Sequence, residues 1–260
     1  MGPTIELDSR TAGAIDGRHI RALTFQDVRL EYVSSVLRRL GIEPAGRSAL
    51  VVGSGRGLLA RGLAGLGLDV VALDPSAEAT AMAREAGGAE DGGFLEFATG
   101  PAEDPGLADA SFDVLFYADT FEITGDLDRV VAQAARLLRP DGVLFYDTVN
   151  RTPVSRLIYL GAFQALPLTR IMPPDRYSAA RLRTPGEVAA TLAAHGLRNE
   201  DVCSFKPKNV LDLVRATMAR RAGRIDDEAI PGMTDFVLEP DGKPIVTYLG
   251  HARPIQSTDA

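Results

Sequence analysis

The chain of 260 residues contains one cysteine, Cys203, so no internal disulfide can form and a reducing cytoplasm is the expected compartment. It has no basic run either: 28 Lys and Arg stand against 35 Asp and Glu, a net charge of −7. A nucleic-acid partner requires a concentrated positive face, so that class is set aside. The opening MGPTIELDSRTAG lacks the basic-then-apolar order of a signal peptide, and Ile5 and Glu6 stand where a myristoylation signal wants Ser or Thr. The most apolar stretch, Leu157 to Met172, is interrupted by Gln164, Pro167 and Arg170 and is too short and broken to span a bilayer. Repeats and low-complexity tracts are absent, and only the tail IQSTDA is expected to fray. With 45% hydrophobic and 24% charged residues, the composition fits one large α/β domain or one domain with an inserted subdomain.

Periodicity supplies the elements. FQDVRLEYVSSVLRRL places Phe25, Val28, Tyr32, Val33, Val36, Leu37 and Leu40 on one helical stripe, which Gly41 and Pro44 end. SALVVG, LDVVALDP, GGFLEFATG, FDVLFYA and GVLFYDTVN read as strands, with helices in RGLLARGLAGLG, SAEATAMAREAGG and LDRVVAQAARLLRP between them. After an irregular, Pro-rich stretch over 151–183, TPGEVAATLAAHG and NVLDLVRATMARRAG read as helices, and LRNEDVCSFKP and KPIVTYLGHAR as strands. Alternation at this spacing predicts a doubly wound, mostly parallel sheet of seven strands with helices on both faces. Ligands of such sheets bind beyond the carboxyl ends of the strands, where Gly53, Asp74, Ala102, Asp119 and Asn150 fall. The expected organisation is an N-terminal helical cap over 1–45, a nucleotide-binding core over 46–150, a lid over 151–183, and the rest of the domain over 184–260. That last part includes an inserted helix at 209–223.

The stretch ALVVGSGRGLLARGLA carries the first chemical signal. Gly53 and Gly55 fit a dinucleotide fingerprint, but Leu58 occupies its third glycine position, so the pattern is Gly53, Gly55, Gly57. A phosphate loop would need Gly-Lys-Ser/Thr, which is missing. Asp74 follows at the end of the second strand, about 20 residues on, where a carboxylate can accept from both ribose hydroxyls of an adenosine. With no pyrophosphate to cradle, the loop can admit an amino-acid moiety against its backbone. The alternative is a bare strand-to-helix turn.

Together these features resemble the class I S-adenosylmethionine-dependent methyltransferases, and more narrowly the quinone O-methyltransferases of the UbiG type. The glycine loop and Asp74 resemble the first two motifs of the family, and GPAEDPGLADASFDVLFYADTFE resembles the stretch that passes the adenine. LLRPDGVLFYDTVNRTPVSRLIYLGAF is similar to its turn, fifth strand and TxNR sequence before an apolar lid. FQDVRLEYV, FKPKN and VTYLGHAR resemble its entry helix and last hairpin. The resemblance implies S-adenosylmethionine as cofactor, held by Gly53, Ser54, Gly55, Gly57, Asp74, Pro75, Ala102, Glu103 and Tyr117.

Three departures stand out. Val51 replaces the family's acid before the glycine loop, which helps hold the methionine ammonium. Pro101 replaces an Asp directed at the adenine amino group. In the ExxEH sequence, implied to hold a divalent metal, the aligned residues are Asp119, Glu122 and Ile123. Two carboxylates with water suit Mg²⁺ better than Zn²⁺, and the alternative for the pair is a helix N-terminus favoured by the macrodipole.

Methyl transfer needs an aligned and partly deprotonated acceptor oxygen in a dry site. Candidates to meet the acceptor are Asp119, Glu122, Asp147 and Asn150, with His251 as a possible base. His195, before Gly196, reads as a helix end. His19 lies in the N-terminal segment that covers the cofactor in many relatives. Tyr159, Phe163, Leu166, Leu168, Ile171 and Met172 would roof a pocket for an aromatic or polyketide-like small molecule. The same segment, through 151–175, suits peripheral membrane contact or a homodimer contact. The expected function is O-methylation of a phenolic or quinol hydroxyl in specialised metabolism. Alternatives are C- or N-methylation, or a cofactor-binding homologue acting as a cyclase or regulator.

Overall fold

Residues 2–88 and 93–255 are described by a computed structural model; the tail from 256 lies outside them. Helix α1 (Gly17–Arg39) begins earlier than the apolar stripe suggests, because the Asp16 carboxylate accepts from the backbone N–H groups of Arg18 and His19, both at 3.1 Å. There follow β1 (Ser48–Val52), α2 (Leu58–Gly65), β2 (Asp69–Asp74), α3 (Ala77–Glu85), β3 (Leu95–Thr99), β4 (Phe112–Tyr117), α4 (Leu127–Leu137) and β5 (Leu138–Val149). Beyond them come α5 (Pro153–Arg156), which runs into a wider π-helical turn over Leu157–Ala162, then α6 (Pro185–Ala194), β6 (Leu197–Pro207), α7 (Val210–Arg221), β7 (Phe236–Glu239) and β8 (Thr247–Pro254).

The strands form one sheet in the order β3-β2-β1-β4-β5-β8-β6-β7, with β1 to β5 parallel and the rest antiparallel. The sheet therefore has eight strands, not the expected seven. The added β7 has four residues, too few to show an alternation, and packing fixes it: the Phe236 ring meets those of Phe25 at 5.0 Å and Phe205 at 6.2 Å.

Strand β1 is apolar and buried from Ala49 to Val52 because both its faces are covered. Val51 points into the layer holding Phe25, Val28 and Phe116, under α1, whereas Leu50 and Val52 point into the layer against α4. A third apolar cluster joins Ile15 and Ile20 to Tyr159, Ile171, Met172 and Tyr177, so segment 151–183 is docked on the start of α1. None of the helices among the described residues is long and apolar enough to cross a membrane.

Candidate active site

The reversal of strand order beside β1 and β4 leaves a crevice at the strand ends, where the glycine loop lies. Gly53, Gly55 and Gly57 all have positive φ (77°, 55° and 78°), and a Cβ at Gly53 would lie 2.3 Å from the Ala118 carbonyl oxygen. The loop thus requires glycine at position 53 for its own turn. Gly55 is different: the atoms near a Cβ there belong to the Arg18 guanidinium, at 3.8 Å.

Arg18 reaches that place from the first turn of α1. Its Nη1 donates to Asp74 Oδ1 at 3.0 Å and to Asp8 Oδ2 at 2.9 Å, and its Nη2 donates to Asp74 Oδ2. Asp74 is fully buried and also accepts from the N–H groups of Gly55 (2.7 Å) and Ser76 (2.9 Å). Two cavities flank this ion pair. One of about 190 Å³ is lined by Pro75, Ala102, Glu103, Asp119, Ile123 and Arg18 among others. A smaller one of about 20 Å³ is bordered by Gly53, Ser54, Gly55, His19, Arg29, Asp119 and again Arg18. The buried acid, the open backbone above Gly55 and the two cavities suit an adenosine carrying an amino-acid tail, with Arg18 standing across the ribose position.

Most of the predicted cofactor residues gather here. Gly57 instead opens α2 as its cap, and a Cβ on it would lie 2.4 Å from the Phe97 ring. Tyr117 is fully buried between the sheet and α4, against Phe121 at 5.6 Å between ring centroids, and borders none of these cavities. Val51 lines neither of them and is packed in the core, so no acid reaches the cleft from this position.

Behind the cleft lies a buried cluster of charge. Arg21 Nη2 donates to Asp119 and, at 3.0 Å, to Glu122; Arg29 Nη2 lies 3.0 Å from Asp119 and 2.8 Å from Asp147. Thr148 donates to the second Glu122 oxygen at 3.0 Å. Burial opposes a charge on Asp119, but Arg21 and Arg29 outweigh it and hold that carboxyl well below its ordinary range. Burial dominates at the other two, raising Glu122 and pushing Asp147 up to about 8. Asp119 has φ 48°, a left-handed conformation that Asp tolerates better than most residues, and it borders both cavities.

This donor set does not fit a divalent cation. Asp119 and Glu122 share the Arg21 guanidinium and Asp119 also takes Arg29, so their charge is already met by fixed cations. Among the described residues no group of three or more His, Cys, Asp or Glu is arranged to hold a metal. Saturating chelator is therefore expected to leave activity within about twofold of untreated protein, which an assay with and without added Mg²⁺ would check; a loss restored by Mg²⁺ would return the metal to this pair.

His19 borders the smaller cavity, whereas the other two histidines sit elsewhere. His251 is buried with Nδ1 3.0 Å from the Tyr32 hydroxyl and Nε2 3.6 Å from Glu200, and it borders none of the cavities described here. Burial lowers its pKa, yet nothing brings an acceptor to it. His195 caps α6 and meets Asp128 at 2.9 Å. Asn150 donates to the Pro244 carbonyl and serves the loop before β8.

On the other side of Arg21, a third cavity of about 380 Å³ opens under segment 151–172. Ile20, Phe25, Ile158, Tyr159, Phe163 and Ile171 are among its walls, and Val210, Leu213 and Thr217 bring α7 into it. The sequence expectations do not include Arg18, Arg21 and Arg29 of α1. The signal was present: Arg21 and Arg29 fall on the helical face of Phe25 and Tyr32, and a cation on an apolar stripe implies a buried partner.

A methyltransferase domain model matches residues 50–146. The chain is 36% identical to a ubiquinone biosynthesis O-methyltransferase of Xanthomonas axonopodis pv. citri over 176 residues, which cover 67% of this chain and 70% of that one. It is 32% identical to the protein of the same name from Agrobacterium fabrum over 184 residues, covering 66% and 71%. The magnesium protoporphyrin IX methyltransferase of Synechocystis PCC 6803, solved with bound SAH, has the same fold: TM-score 0.57 at 14% identity, covering 90% of this chain and 85% of that one. By these likenesses the chain, with its glycine loop, buried Asp74 and adjoining apolar cavity, belongs to the S-adenosylmethionine-dependent methyltransferases, in the family of the ubiquinone biosynthesis O-methyltransferases.

Proposed function

We propose that the chain methylates a hydroxyl of an apolar phenolic, quinol or polyketide-like small molecule held in the cavity under a lid formed by 151–183. The observation that carries this reading is the position of that cavity. It shares Arg21 with the charge cluster, and Asp119 of that cluster borders the cofactor cleft. When bound, S-adenosylmethionine supplies an electrophilic methyl carbon on a sulfonium. The residues of this chain then have three tasks. Asp74, Ala102, Glu103 and the glycine loop hold and orient the donor. Phe25, Ile158, Tyr159 and Phe163 exclude water from the acceptor. Arg21 and Arg29 fix Asp119 and Asp147 behind the junction, so that no loose base competes for the site.

The names of the relatives support an O-linked product, and the α7 wall supports an acceptor different from theirs, as in specialised metabolism. The lid exposes Val154, Leu157, Leu166 and Leu168 beside Arg156 and Arg170, which favours reversible contact of 151–175 with a membrane surface or a second copy of the chain, in a cytoplasmic setting. The test is mass spectrometry of a panel of alkylated phenols and quinols incubated with the protein and S-adenosylmethionine. A gain of one methyl group, on oxygen, is expected. An isomerised product of unchanged mass would replace this reading with a cyclase, and a methyl group on carbon or nitrogen would correct the acceptor atom.

A further inference from the structure

We propose that Arg21 is the acceptor's oxyanion holder, so that the large cavity binds a phenol in its ionised form. The proposal rests on reading that cavity as the acceptor site. Four charged residues line it: Lys206, Glu239, Lys243 and Arg21. Lys206 and Lys243 are exposed to solvent and Lys206 pairs with Glu239 at 2.5 Å, so these three belong to the mouth. Arg21 is 5% exposed and, among the described residues, is the one deeply buried cation bordering the cavity.

Its setting suits that task. The guanidinium carbon lies 5.0 Å from the ring centroid of Phe25, 5.1 Å from that of Tyr159 and 5.8 Å from that of Tyr177, and Nη1 donates to the Tyr177 hydroxyl at 3.3 Å. Aromatic faces and two carboxylates therefore hold it rigid and dry. Its Nε–H has no acceptor among the described residues. That nitrogen is itself buried, so an incoming oxygen reaches it with a small shift of the side chain and then satisfies a donor left unmade.

Electrostatics decides the ionisation state. An apolar cavity by itself raises the pKa of a bound phenol, because the anion loses its hydration. A cluster of net positive charge within about 4–6 Å reverses the sign. Here two guanidiniums, Arg21 and Arg29, face one carboxylate held ionised, Asp119, while burial raises Glu122 and Asp147. Arginine keeps its charge under all ordinary conditions, so it neither takes nor gives the proton. The hydroxyl proton passes to solvent as the phenol binds, and nothing is oxidised or reduced. Because Arg29 shares Asp119 with it, Arg21 keeps charge for the acceptor and fills the role a metal would otherwise take in making the oxygen nucleophilic.

The experiment uses 4-hexyl-2-nitrophenol, whose absorbance reports its ionisation, titrated against pH with the full chain and no methyl donor. Bound to the wild-type chain, the probe should ionise at least about one pH unit below its value in buffer. Bound to Arg21→Gln it should ionise at or above the buffer value, and Arg21→Lys should retain part of the shift. A merely structural role for Arg21 would alter stability or affinity without moving the bound probe's ionisation. Three results overturn the proposal: no binding of the probe, a wild-type shift upward or absent, or an unchanged downward shift in Arg21→Gln. Should Arg21→Gln fail to fold, the wild-type titration and Arg21→Lys still decide. A chain that ionises the probe but methylates no phenol would keep this role for Arg21 and lose the proposed reaction.

Discussion

Replacing Asp74 by Ala is expected to weaken binding of S-adenosylhomocysteine at least a hundredfold in calorimetry. Hydrogen bonds to a charged group contribute roughly 1.5–3 kcal/mol each. A ribose presents two hydroxyls to this carboxylate, so losing both removes roughly 3–6 kcal/mol, and each 1.4 kcal/mol is a factor of ten. The side chain is wholly buried at the end of β2 and its orientation is set by the N–H groups of Gly55 and Ser76. The change also removes a partner of Arg18, but Asp8 lies 2.9 Å from that guanidinium and keeps it neutralised. The fold is therefore expected to survive with a lowered melting temperature, as circular dichroism would record. Binding within about threefold of wild type would remove Asp74 from the cofactor site.

The parts of the molecule that could be read in advance are those where local pattern and tertiary role agree. The glycine turn, the five parallel strands and the place of Asp74 at the end of β2 follow from apolar runs, turn chemistry and strand length. β7 was not legible because its four residues take their place from three phenylalanine rings contributed by α1, β6 and β7 itself. The first two turns of α1 were missed because the apolar stripe there is interrupted by Arg18 and Arg21, whose partners are 56 and 98 residues away. Asp119 and Glu122 were recognised as a pair, yet the sequence did not show that guanidiniums face them. His251 looked available at the end of a strand, but its Tyr32 partner comes from α1. In each case the missing information is a contact distant in sequence between charged or aromatic groups, which periodicity does not encode.

Replacing Arg18 by Gln is expected to tighten S-adenosylhomocysteine binding by about tenfold or more, the opposite of the Asp74 change although the two side chains are partners. In the structure both Asp74 oxygens are engaged by Arg18, and the guanidinium stands between the larger and the smaller cavity of the cleft. A ribose and this guanidinium cannot occupy the same carboxylate edge, so binding first requires Arg18 to leave. The measured affinity is then the intrinsic affinity multiplied by the fraction of molecules already open. A closed form favoured by about 1.4 kcal/mol keeps only about a tenth of the molecules competent. Buried ion pairs can exceed that preference when one partner is removed, and here the Asp8 contact on the same guanidinium moderates it. Glutamine leaves Asp74 with its two backbone N–H donors, so the carboxyl stays oriented for a ribose. The measurement is paired calorimetry and stopped-flow of the wild-type and Arg18→Gln chains, with the gain expected in the association rate because the barrier lies before binding. Weaker binding in Arg18→Gln would show instead that the guanidinium is itself part of the cofactor's site, moving from Asp74 to the ligand as the cleft fills.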